Sequence, residues 1–151
     1  MKKIRAKQSY HTSRVQEAAV MPQVESGKVD GFGDVEEIRS GLPVETFFEV
    51  QELLGVGAAQ LAEVVGIPLR TLQRRKDEGR LTKDESDRLD RVRMLAKHAA
   101  DVFESPRAGR EWLTRPQMGL AGFVPLELAD TGAGIREVEN LLGRIDYGVY
   151  A

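Results

Sequence analysis

Six polar side chains in a run of seven positions, Arg70, Thr71, Gln73, Arg74, Arg75 and Lys76, carry the strongest chemical signal in the chain. Arg and Gln can make paired hydrogen bonds to purine edges, and Arg and Lys neutralise phosphates. Set along one helix, these residues have the chemistry of reading a DNA major groove. No acid interrupts residues 68 to 76. Leu69 and Leu72 are expected to face the core on the opposite side. The last inward position of such a helix is usually apolar, and here it falls on or beside Arg75. That predicts either an early end to the helix or an Arg stem laid across the core edge.

The surrounding residues supply the support such a helix needs. Residues 58 to 77 read as two short helices about a tight turn. Leu61, Ala62 and Val65 recur on one face of the first, with Ala62 small where the second would cross closely. Gly66 breaks the run, Ile67 can plug the space between the helices, and Pro68 suits the first position of a new helix. The competing reading is that helix pairs with a Gly turn are common in all-helical proteins, with a basic face that is merely solvated.

No catalytic constellation can be assembled. The two histidines, His11 and His98, are too few for a His-rich metal site and lack the partners of a Ser-His-Asp arrangement. Gly31-Phe-Gly33 and Gly55-Val-Gly57 do not continue into phosphate or dinucleotide loops, and Gly-Lys-Ser/Thr is absent. They read as caps and turns. The Asp and Glu residues fall mostly at the spacing of solvated helix faces. There is no cysteine, so neither a disulfide nor a thiolate metal site is possible. The expectation is a non-enzyme with no catalytic residue, metal or cofactor. Trp112, at helical spacing from Ala108, reads as core.

Composition bounds the rest. With 151 residues, 41% of them hydrophobic, the chain suits one ordinary domain or two very small ones. A formal net charge of −2 means that any DNA affinity must come from local charge. No apolar run approaches the roughly 20 residues that span a bilayer, and the basic start lacks a signal peptide's apolar stretch. A soluble cytoplasmic protein is expected.

Four segments are expected, in an all-α fold. Residues 1–33 form a basic arm and linker: Lys2, Lys3, Arg5, Lys7 and Arg14 occur among the first 16 residues without one acid. Residues 34–81 form the helix-turn-helix domain, opening with Asp34 as N-cap of a helix that ends at Ser40-Gly41. A scaffold helix follows Pro43, carrying Val44, Phe47, Phe48, Leu53 and Leu54, and stops at Gly55. Residues 82–104 form a connecting helix, started by a capping box at Thr82 and Glu85, that joins the two halves or pairs with a second copy as a homodimer. Residues 105–151 form a small helical C-terminal domain. Ser105-Pro106 starts a helix ending before Pro116. Leu120, Phe123, Leu126 and Leu128 are expected to be buried, and a last helix runs from about Gly134 to Ile145, closed by Gly148.

With these motifs in order, the chain resembles the Xre/MbcA/ParS antitoxins, partners of RES-domain toxins. The resemblance runs from about Gly41 to Ala151. It rests on Gly41-Leu-Pro, Arg70-Thr-Leu-Gln-Arg-Arg75, and Arg80-Leu-Thr with Glu85-Ser-Asp-Arg-Leu89. It continues through Trp112-Leu with Pro116, Gly122-Phe-Val-Pro125-Leu, Thr131 with Gly134, and the ending Arg144-Ile-Asp-Tyr-Gly148-Val-Tyr-Ala151. Pro68 departs from the Ser cap that family members often carry, and the arm before Asp34 falls outside the resemblance.

The resemblance implies a type II toxin-antitoxin system with an Xre-like helix-turn-helix domain that represses its own operon and a C-terminal toxin-binding domain. The implied partners are operator DNA and a RES-domain toxin that consumes NAD, NAD being the toxin's substrate and not a cofactor here. The tail, Tyr147, Gly148, Val149, Tyr150 and Ala151, is then expected to block the toxin's active site. From Arg115 to Ala151 three Arg face five Asp and Glu, a modestly acidic surface. The alternative is a plain helix-turn-helix transcription regulator that senses a ligand in an apolar pocket around Trp112, Phe123 and Leu141.

Overall fold

Thr82 and Glu85 form the expected capping box: the Thr82 hydroxyl accepts from the Glu85 backbone N–H, and the Glu85 carboxylate accepts from the Thr82 backbone N–H. Two N–H groups that a helix start leaves free are thereby satisfied. The helix so begun organises the whole structure, a computed structural model that describes residues 32 to 148. The arm, and Val149, Tyr150 and Ala151 of the tail, lie outside the described residues.

Eight α-helices follow in order, and no strand occurs among the described residues. They are α1 (Phe32–Ser40), α2 (Glu45–Leu54), α3 (Ala58–Val65), α4 (Leu69–Glu78), α5 (Lys83–Val102), α6 (Pro106–Leu113), α7 (Pro125–Leu128) and α8 (Gly132–Asp146), with a 3-10 turn at Met118–Leu120 before α7. The chain is all-α, as its periodicity predicts. Asp34, expected as an N-cap, instead sits in the first turn of α1, where its charge favours the positive end of the helix dipole. Ser105 caps α6 through the Ala108 N–H with Pro106 in its first turn, and Thr131 caps α8 through the Gly134 N–H, two residues earlier than the sequence suggests.

A single hydrophobic cluster runs from Leu42 to Leu142, and from Asp34 onward the chain is one compact unit. The central helix α5 packs against α2 and α3 on one side of the sequence and α6 and α8 on the other. Its stripe of Leu89, Val92, Leu95, Ala96 and Ala99 is buried. It is therefore less a connector between two bodies than their common core. The α5–α6 crossing is close because Gly109 has no side chain: a Cβ there would lie 2.6 Å from the Ala100 backbone nitrogen. His98 of α5 contacts Glu139 of α8.

One buried expectation is corrected, and another is met at the edge of the core. Phe123 is 57% exposed, held outward at the end of a loop whose apolar anchor is Leu120. Trp112 is half-buried, stacked at a tilt on Phe103 with ring centroids 5.6 Å apart. Leu141 is buried, beneath the 3-10 turn. Phe123 is thus too exposed to wall a closed apolar pocket with Trp112 and Leu141.

Candidate nucleic-acid interface and exposed tail

Helices α3 and α4 form the helix-turn-helix as its spacing requires. Left-handed Gly66 (φ 65°) ends α3, with its N–H on the Glu63 carbonyl. Ile67 is 1% exposed between the helices, and Ala62 lies buried at the crossing. Pro68 takes the N-cap position, so α4 begins at Leu69 and not at the proline. Leu69 is 53% exposed, contrary to expectation. Ile67 already fills the inward site beneath the turn, leaving Leu69 on the lip of an open cleft of about 340 Å³ beside Ala59, Glu63 and Pro68.

Along α4, Leu72 is buried, Arg70, Gln73 and Arg74 are exposed, and Thr71 is half-buried on the flank. The outward face carries two guanidinium groups and one amide. Among the acids of the described residues Arg74 approaches only Glu78, at 3.8 Å with both side chains at least half exposed, too long and too wet to hold it. The Lys76 ammonium lies 4.9 Å from the Phe48 ring centre, so an aromatic face on α2 steadies it while it stays exposed. Asp77 and Glu78 follow at the far end of α4, away from the first turns that contact base edges in such motifs.

Arg75 leaves this groove-facing set. Its Nε donates to Glu85 at 2.8 Å, a terminal nitrogen donates to the other Glu85 oxygen at 2.9 Å, and its remaining terminal nitrogen donates to Glu78 at 2.9 Å. All three nitrogens of the fork are engaged inside the protein, and the side chain is 12% exposed. Burial alone would push the Glu85 carboxyl up. The hydrogen bond from Arg75 and that from the Thr82 backbone outweigh it and hold the carboxyl below the usual carboxylate range. The same bond to Glu85, working against burial, keeps Arg75 more firmly charged than a free guanidinium.

Other groups that hold the motif were not singled out in the sequence. Arg88 of α5 donates to the Val65 carbonyl at 2.7 Å, closing the end of α3. The segments flanking the unit are tied together, Val44 N–H to the Gly79 carbonyl and Leu81 N–H to the Leu42 carbonyl, and buried Ser86 accepts the Leu42 N–H at 2.8 Å. A long-range anchor of this kind leaves no signal in local spacing.

At the other end of the chain, α8 stops at Asp146. Tyr147 is 86% exposed, and Gly148 turns the backbone through a left-handed φ of 72°. The start of the tail thus stands clear of its own core.

Two family models cover the described chain almost end to end. An antitoxin Xre-like helix-turn-helix domain matches residues 34–94, and an antitoxin Xre/MbcA/ParS C-terminal toxin-binding domain matches residues 98–148. The chain belongs to the Xre antitoxin family. Among its curated relatives, an Antitoxin Xre from Photorhabdus laumondii is 33% identical over 114 residues, covering 74% of this chain and 77% of the relative. One from Yersinia enterocolitica is 31% identical over 78% of this chain and 80% of the relative. One from Pseudomonas putida is 37% identical over 54% and 52%. This Xre-family chain is thus a helix-turn-helix domain followed by a toxin-binding domain, the pattern of a type II antitoxin with a cognate toxin and DNA as its partners. No helix among the described residues is long and apolar enough to cross a membrane.

Proposed function

We infer that this chain is a cytoplasmic, non-enzymatic antitoxin that neutralises a NAD-consuming RES-domain toxin and represses its own operon as a dimer. The observation that carries the reading is the division of labour on one core. Arg70, Gln73 and Arg74 stand in solvent on α4, while Tyr147 and Gly148 leave α8 for solvent within the toxin-binding match. Arg70, Thr71, Gln73, Arg74 and Lys76 contact operator DNA. Tyr147 to Ala151 enter the toxin's active site.

Two experiments test it. Arg70→Ala with Arg74→Ala should cost about 1 to 3 kcal/mol for each base contact removed, or lower the salt slope by about one unit for each phosphate contact. Unchanged affinity for its own promoter would reject the DNA assignment. Deleting Gly148 to Ala151 should leave the toxin complex intact but restore NAD loss on co-expression, and full protection by the shortened chain would place inhibition elsewhere.

A further inference from the structure

The segment Gln117–Phe123 is a closed, stiff loop. The Gln117 N–H donates to the Phe123 carbonyl at 3.1 Å and the Gly122 N–H returns to the Gln117 carbonyl at 2.9 Å. Inside it, the Leu120 N–H reaches Gln117 and the Phe123 N–H reaches Leu120. The Gln117 side-chain amide donates to the Trp112 and Arg115 carbonyls, fixing the loop to the end of α6. Ala121 is held at φ 53°, a left-handed conformation unfavourable for a residue with a Cβ, so surrounding contacts dictate the turn. Leu120 is buried, and Gly119 packs against Leu141 of α8 so closely that a Cβ would lie 2.8 Å from its methyl.

This ordered frame turns two large apolar groups outward: Met118 is 93% exposed and Phe123 57%. With Tyr147, they place the two most exposed large apolar side chains of the described residues, Met118 and Tyr147, in the toxin-binding half. A rigid backbone that presents an aromatic ring and an adaptable thioether loses little entropy on docking. Those are the properties of an anchor in a protein interface.

We propose that Met118 and Phe123 dock into an apolar slot on the toxin, as a second anchor beside the tail. The proposal rests on the reading that the C-terminal half binds a toxin. Two side chains cover far less than the roughly 800 Å² per partner of a stable interface, so by themselves they cannot hold a second copy of this chain. They need a partner already engaged nearby. The loop packs on Leu141, and Tyr147 follows six residues later, about 9 Å along a helix axis. A protein that takes the tail is therefore within reach of the loop.

The test uses the full chain and the toxin encoded by the neighbouring gene. Met118→Glu with Phe123→Ser should weaken toxin binding at least thirtyfold, while Met118→Leu stays near wild type, and both should keep wild-type melting and promoter binding. Wild-type toxin affinity in the double variant would overturn the proposal. So would a loss of self-association with toxin affinity unchanged, which would assign the patch to a second copy. Failure of the unaltered chain to bind the toxin would remove the parent reading, and this proposal with it, and is distinguishable because it occurs before any substitution.

Discussion

Replacing Arg75 with Ala should cost far more than removing an ordinary surface cation. Exposed ion pairs contribute roughly 0 to 1 kcal/mol. Here the Arg75 and Glu85 side chains are 12% and 8% exposed, and two short hydrogen bonds join them. Removing the guanidinium leaves a nearly buried carboxylate that keeps the Thr82 backbone N–H of the capping box as a donor. Breaking a buried pair costs about 3 to 5 kcal/mol. The retained Thr82 N–H and the residual exposure put Arg75→Ala near the lower figure, about 3 kcal/mol. Urea unfolding of wild type, Arg75→Ala, Glu85→Ala and the double variant gives the coupling directly. It should be about 2 kcal/mol or more. A coupling under about 0.5 kcal/mol would refute the argument, since the pair would then behave as a solvated one.

Acid should act through the same carboxylate. Glu85 is held below its ordinary value of 4.5, so its contribution is complete above that pH and is lost as pH falls through the lower, folded value. Wild type should therefore lose stability more steeply than Glu85→Gln from about pH 5 downward, and parallel curves would contradict this. Gly109→Ala should destabilise by about 2 to 3 kcal/mol, because the added Cβ meets the backbone of Ala99 and Ala100, which cannot move aside as a side chain can. An unchanged melting temperature would show that α5 and α6 separate easily. Ser86→Ala should cost about 1 to 3 kcal/mol by stranding the buried Leu42 N–H, and denaturant titration checks it.

Local chemistry made much of this fold legible. Thr82 and Glu85 three residues apart announce a helix start, and Leu61, Ala62 and Val65 around Gly66 announce the helix pair, because caps and turns are decided by neighbours in sequence. The destination of Arg75 was only half legible. Its inward position follows from helical period, but its partner lies beyond a turn, and Glu85 already had a complete local role in the capping box. Leu69 and Phe123 were misplaced for a related reason. Periodicity assigns apolar residues to the core, whereas Ile67 had taken the inward site at one and a hydrogen-bonded loop directs the other outward. The outward placement of Arg70, Gln73 and Arg74 could be read from spacing, whereas the role proposed for the tail rests on its position beyond the last helix and on the resemblance.

The two family matches meet at residues 94 to 98, in mid-helix, on a rod of 20 residues that spans about 30 Å. Nature's usual place to cut and recombine modules is a pliable linker. Here the seam runs through Leu95 and Ala96, which are buried in the core both sides share. The halves therefore cannot be exchanged between relatives as cassettes, nor lost one at a time. A protease that captures the unfolded chain destroys both surfaces in one event. On the proposed roles, promoter and toxin are set free together, and the lifetime of this one fold becomes the timer for both.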